Sequence, residues 1–97
     1  MSPEFFPLTT APQLVRYWFE KGYSADEIAP MLRDNALFFY ASPEDLATCE
    51  RLLTYRRLYD NAAAAILAKG EFPSAEKIAE KVGKDERTVR RWRDGNS

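Results

Sequence analysis

Three arginines near the end of the chain, Arg87, Arg90 and Arg91, are the side chains best suited to chemistry. Their spacing of three and four residues puts them on one face of a helix. Such a row of guanidinium groups can bind DNA, pair with acidic side chains or face solvent. The whole chain carries fourteen basic and fifteen acidic residues, a net charge of -1, so total charge does not choose among these roles.

The chain is poor in groups that do catalysis. It has no histidine, which removes the commonest general base and the commonest metal ligand. Its single cysteine, Cys49, forms neither an internal disulfide nor a thiolate cluster, and its apolar position indicates a buried spacer. The sequence contains no glycine-rich phosphate loop, and its carboxylates stand in no catalytic spacing. We therefore expect no enzymatic activity, no cofactor and no metal site.

The charge of the chain is unevenly distributed. Residues 1–49 hold three basic and seven acidic residues, a net charge of -4. Residues 74–97 hold seven basic and five acidic residues, a net charge of +2. The protein therefore has an acidic head and a mildly basic tail, an asymmetry that the total hides.

Length and hydropathy indicate one domain with no membrane span. Ninety-seven residues support a single domain. No apolar run approaches the roughly 18 residues that a membrane helix requires, and the opening "MSPEFFPLTT" has no basic region before an apolar core. With one cysteine, these features favour a cytoplasmic protein.

Capping residues and apolar spacing predict an all-α fold. Thr10 begins a helix that ends at Gly22, and Ser24 begins a second helix with Glu27 at capping-box spacing. Pro30 lies inside the second helix, so we expect it to bend or shorten that helix.

A long helix is predicted from Ser42 to Gly70, with Asp60–Asn61 as the place where it could break. Its predicted buried side recurs at helical spacing. The positions on that side are Leu46, Cys49, Leu53, Tyr55, Leu58, Tyr59, Ala62 and Ile66.

Two aromatic segments could join the core or reach a partner. Phe5 and Phe6 belong to an N-terminal arm, residues 1–10, which we expect to pin itself onto the domain or to serve as a docking peptide. Phe38, Phe39 and Tyr40 are consecutive and cannot all face one way, so one of them could contact a neighbouring chain.

The segment "SAEKIAEKVGKDERTVRRW", from Ser74 to Trp92, predicts a helix, a tight turn and a second helix. Gly83 supplies the turn and Asp85 caps the second helix. The inner faces consist of a small residue, Ala79, and four apolar residues: Ile78, Val82, Val89 and Trp92. This segment resembles the helix-turn-helix of bacterial and phage transcription regulators, although Lys84 stands where that family usually has an apolar residue.

The resemblance implies that the second helix, residues 85–93, enters the DNA major groove. It implies base-edge contacts from Glu86, Arg87, Arg90 and Arg91, because arginine can bind guanine and glutamate can accept from cytosine. The groups suited to phosphates are the amides near Ser74 and the side chains of Lys77, Lys84, Thr88 and Arg93.

These patterns divide one helical domain, residues 1–97, into three parts. They are the arm (1–10), a helical head for dimerisation or partner binding (11–54) and a trihelical helix-turn-helix region (55–97), completed by the segment 55–69 with its alanine run. The fold prediction is therefore a small helical bundle with a C-terminal trihelical helix-turn-helix.

Two functions fit this organisation. The first is a sequence-specific DNA-binding regulator of bacterial, phage or mobile-element type that acts on double-stranded DNA as a homodimer, since one recognition helix alone binds weakly. The second is a protein-binding inhibitor or adaptor whose acidic, aromatic head binds another regulator or a polymerase subunit.

Overall fold

The computed structural model describes residues 10–95, and this part of the chain is helical with no strand. The all-α prediction is therefore confirmed. Phe5, Phe6 and the rest of residues 1–9 lie outside the described residues. The helices are α1 (Ala11–Glu20), α2 (Ala25–Arg33), α3 (Ala36–Phe39), α4 (Pro43–Ala68), α5 (Ala75–Val82) and α6 (Glu86–Asp94).

Side-chain caps start each helix of eight or more residues, as the sequence predicted. Every cap residue has extended backbone, and its side-chain oxygen accepts the backbone N–H three residues ahead. Thr10 and Ser24 form complete capping boxes. In these, the side chains of Gln13 and Glu27 accept the backbone N–H groups of Thr10 and Ser24. The other caps are Ser42, Ser74 and Asp85.

Two interruptions that the sequence suggested, at Pro30 and at Asp60–Asn61, do not end their helices. α2 continues through Pro30 to Arg33, and Pro30 lies on its exposed face. α4 is one helix of 26 residues, about 39 Å at 1.5 Å per residue, without a break at Asp60–Asn61. Asp60 instead accepts hydrogen bonds from Arg56 and from the backbone of α2, so a tertiary contact supports the helix at this point.

Two separate cores lie along α4. The head core joins α1, α2 and the first half of α4, and its largest fully buried side chains are Ile28, Val15 and Cys49. The tail core joins the second half of α4 to α5 and α6, and its buried residues are Ala62, Ile66, Ile78, Ala79, Val89 and Trp92. Leu58 faces neither core and is 45% exposed, which corrects its predicted burial.

Polar contacts connect the head to the C-terminal end of α6. Arg16 Nε donates to the carbonyl oxygen of Gly95 at 2.7 Å, and Arg56 Nη1 donates to that of Arg93 at 2.9 Å. Both carbonyls belong to the end of α6, where backbone acceptors lack partners within the helix and cations are favoured. α6 is therefore held at its last turn by side chains from α1 and α4.

Candidate nucleic-acid interface

α5 and α6 are joined by a tight turn built on Gly83. This glycine has a left-handed backbone, φ 74° and ψ 31°, a conformation that costs other residues about 1–2 kcal/mol. The amides of Gly83 and Lys84 both donate to the carbonyl of Ala79, at 2.9 and 3.0 Å, which closes α5. Lys84 stands where the helix-turn-helix pattern usually has an apolar residue. Its side chain is exposed, so no charge is buried at the turn.

The inner faces of α5 and α6 are buried against α4. Ile78 and Val89 have no exposed surface, and Ala79 and Trp92 are each 6% exposed. Val82 is half-buried against the same cluster. Three helices thus share one core, and the face of α6 opposite Val89 and Trp92 is turned away from it.

The outer face of α6 carries the three arginines. Arg87, Arg90 and Arg91 are all exposed, while Val89 and Trp92 on the opposite side are buried. The structure therefore brings together the three residues that the sequence singled out. Their guanidinium groups have the planar donor geometry that suits phosphate oxygens and the acceptor edge of guanine.

Glu86 and Arg90 form an ion pair on the same face. Arg90 Nη2 donates to Glu86 Oε2 at 2.7 Å, and both side chains are about half exposed. An exposed pair four residues apart on a helix contributes only about 0.2–0.5 kcal/mol. The two groups can therefore separate when a stronger partner approaches.

The start of α6 is ordered by its own cap. The Asp85 carboxylate accepts the backbone N–H of Thr88 at 2.9 Å. Hydrogen bonding to Thr88, with help from the charges of Arg87 and Arg91, holds the pKa of Asp85 below its usual range. Thr88 is half-buried beside this cap, at the flank of the arginine face.

Of the groups predicted to contact phosphate, two lie at the start of α5. Ser74 uses its hydroxyl oxygen to accept the Lys77 amide at 3.3 Å, so this amide is occupied. Lys77 Nζ lies 3.3 Å from a Glu71 carboxylate oxygen in an exposed ion pair. Lys84 is exposed at the turn.

Arg93 lies apart from this group, at the last turn of α6. Its side chain pairs with Asp94 at 2.9 Å, and its carbonyl accepts from Arg56. The hydrogen bond to Asp94 raises the already high pKa of Arg93, so its positive charge is permanent.

Sequence reasoning did not single out two further lysines, Lys69 at the end of α4 and Lys81 in the last turn of α5. Lys69 and Lys81 line a shallow groove with Lys77, Glu71, Glu80 and Ile66. The four-residue spacing of Lys77 and Lys81 could have indicated that they share a face. Lys69 could not have been found this way, because it lies at the end of α4 and reaches the groove only through the fold.

The aromatic head divides into a buried and an exposed part. Phe38 packs against the head core, whereas Phe39 and Tyr40 are each 83% exposed. Their rings meet edge to face with centroids 5.8 Å apart. Cys49 lies in the head core, and burial, followed by the nearby Asp45 charge, raises its pKa to about 11.

Within residues 10–95, no three carboxylate or thiol groups converge on a point that could hold a metal ion. Likewise, none of the helices described is long and apolar enough to cross a membrane. Comparison with models of protein families, with curated proteins and with solved structures found no match.

Proposed function

We propose that this protein is a sequence-specific DNA-binding regulator, of the helix-turn-helix type found in bacteria, phages and mobile elements. The observation that carries the proposal is the outer face of α6. Arg87, Arg90 and Arg91 stand there in solvent, on a helix whose inner face is fixed in the tail core. A rigid helix with a row of exposed guanidinium groups suits the major groove, where arginine reads guanine.

The distribution of charge supports the same proposal. The acidic residues predominate in residues 1–49, while residues 74–97 have a net charge of +2. The part of the surface nearest the DNA would therefore be positive although the whole protein is not. Lys77 in the first turn of α5 and Lys84 in the turn before α6 are both exposed, and we propose that they contact phosphates.

We further propose that the regulator acts as a homodimer. One recognition helix with few phosphate contacts binds weakly at physiological salt, and two helices on adjacent half-sites bind much more tightly. The head, residues 11–54, would join the two copies. The expected target is a pair of half-sites about one helical turn of DNA apart.

The test is selection of bound sites from a pool of randomised double-stranded DNA, followed by titration of the selected site. We expect a recovered sequence motif and an affinity that falls linearly with salt on logarithmic axes. The triple change Arg87→Ala, Arg90→Ala and Arg91→Ala should abolish binding.

The matched control changes three exposed basic residues outside the tail, Lys21, Arg33 and Arg51, to alanine. This control variant loses the same positive charge as the arginine variant but should keep most of the affinity for the selected DNA site. Equal loss in both triple variants, or no enriched motif from the pool, would contradict the proposal.

A second candidate function is supported by Phe39 and Tyr40. Two adjacent aromatic side chains, each 83% exposed, are the kind of anchor that protein interfaces bury. The head would then bind another regulator or a polymerase subunit. Recovery of one stoichiometric protein from nuclease-treated extract, surviving the triple arginine change but lost with Phe39→Ser and Tyr40→Ser, would favour this adaptor.

A further inference from the structure

Arg56 occupies the place where the head, the middle of α4 and the end of α6 meet. Its Nε donates to Asp60 Oδ1 and its Nη1 donates to the carbonyl of Arg93, both at 2.9 Å. Its guanidinium group lies 4.7 Å from the ring centroid of Phe19 in α1. The side chain is only 14% exposed, so these contacts are made largely away from water.

Asp60 extends the connection into α2. Its Oδ2 accepts the backbone N–H of Ala25, the first residue of α2, at 3.4 Å. A hydrogen-bonded chain therefore runs from the start of α2, through Asp60 and Arg56, to the last turn of α6.

The same end of α6 has a second support in α1. Arg16 Nε donates to the Gly95 carbonyl at 2.7 Å. Gly95 has φ +78°, and a Cβ atom there would lie 2.9 Å from Arg16 Cγ and 3.0 Å from Phe19 Cδ2. The backbone of Gly95 thus touches α1 too closely for a side chain, which fixes the separation of α1 from the end of α6.

The head core and the tail core share no buried residue and are connected through α4, so the direct contacts of α6 with α1 and with Arg56 add to its packing on α4 in holding it relative to the head. We infer that Arg56 is a positioning residue that sets the direction of α6 relative to the head, with Arg16 as the second support. For DNA reading, this inference depends on the proposed function. In a dimer joined through its heads, the direction of α6 decides whether both arginine faces reach their half-sites.

The test compares Arg56→Lys with Arg57→Lys in the full chain. Lysine keeps the charge but lacks the planar fork that lets one guanidinium group bind Asp60 and the Arg93 carbonyl together. Arg57 is the matched control, because it is the next residue of α4 and pairs with Asp26 of α2 at 2.9 Å instead.

The first readout is the direction of α6 in the free protein, from backbone residual dipolar couplings. In the wild type and in Arg57→Lys, α1, α4 and α6 should fit one alignment tensor in one arrangement. In Arg56→Lys, the couplings of α6 should fit either a different helix direction or an alignment tensor of smaller magnitude than that of α1 and α4. Far-UV circular dichroism should stay the same. If α6 has the same direction and the same tensor magnitude in Arg56→Lys as in Arg57→Lys, the inference is overturned.

Gly95→Ala provides a second variant in case Arg56→Lys does not fold. It disturbs the same joint from the other side, by pushing the end of α6 away from Arg16 and Phe19. We expect α6 to reorient while the rest of the chain keeps its alignment. An unchanged direction of α6 in this variant would also count against the inference.

The second readout is binding to the selected DNA site. Arg56→Lys should weaken it about tenfold, because the affinity falls with the fraction of molecules that hold α6 in the binding direction, and Arg57→Lys should leave it within about twofold. The salt dependence should not change, because the phosphate contacts remain. If the wild type binds no DNA, the proposed function fails, while the dipolar couplings still decide the role of Arg56.

Discussion

The indole ring of Trp92 stacks on the phenol ring of Tyr55, with centroids 5.2 Å apart and planes 6° from parallel. This contact joins the inner face of α6 to the middle of α4, at the edge of the tail core. Aromatic stacking adds about 0.5–1.5 kcal/mol to the gain from burial alone. The flat contact also limits rotation of α6 about its own axis, so it helps aim the arginine face.

Removing the ring of Trp92 should destabilise the protein strongly. We expect Trp92→Ala to lower the free energy of unfolding by about 3–5 kcal/mol, because a side chain that is 6% exposed leaves a large cavity. Urea denaturation followed by far-UV circular dichroism measures the change. The control is Tyr17→Ala, an aromatic residue of α1 that is 48% exposed and should cost much less. Equal losses in the two variants would contradict this account.

Asp85 should make stability depend on pH in the acid range. Its pKa is lowered in the folded protein by the hydrogen bonds to Thr88, so folding favours the ionised carboxylate. That contribution is complete above the pKa of the unfolded chain, about 4, and is lost as pH falls through the lower folded pKa.

Asp85→Asn tests this pH dependence, because asparagine also caps helices but does not titrate there. Melting temperatures of both proteins between neutral and acid pH give the measurement. The advantage of the wild type over Asp85→Asn should shrink below about pH 4. A difference that stays constant over this range would show that the Asp85 charge plays no part.

Cys49 should be unreactive while the protein is folded. With a pKa of about 11, only about a thousandth of the thiol is thiolate at pH 8, and the side chain is 2% exposed. We expect alkylation by iodoacetamide to be very slow in buffer and fast and stoichiometric in urea. Rapid labelling of the native protein, with circular dichroism unchanged, would mean that the head core opens readily.

The Glu86–Arg90 pair should influence base preference if the proposed function holds. Glu86→Gln removes the ion pair at 2.7 Å and the acceptor charge that could read cytosine. We expect tighter binding to unselected DNA and a preference relaxed by about 1–3 kcal/mol at one base-pair position. Titrations with the selected site and its single-base variants check this. Identical preferences in the wild type and Glu86→Gln would exclude a reading role for Glu86.

The helix starts and the turn were predictable because their causes are local. A cap at Ser24, Ser74 or Asp85 bonds an amide only three residues ahead, so the sequence within one turn is enough. Gly83 marked the turn for the same reason. The clustering of the exposed arginines followed from helical spacing alone.

The joint between the head and α6 was not predictable from the sequence. Arg56 and the Arg93 carbonyl are 37 residues apart, and no spacing rule relates them. The exposure of Leu58 was missed because α4 faces one core with its first half and another with its second, so a single apolar stripe does not describe it. The DNA-binding role of α6 stays a prediction, because it concerns a partner rather than the fold.

The unbroken course of α4 has a consequence for folding cooperativity. Both cores are built on this one helix, through Cys49 and Leu52 in the head and Ala62 and Ile66 in the tail. Opening either core removes tertiary support from the helix that the other core needs. The two tryptophans, Trp18 beside the head core and Trp92 in the tail core, should therefore report the same denaturation midpoint, as expected of a single cooperative unit.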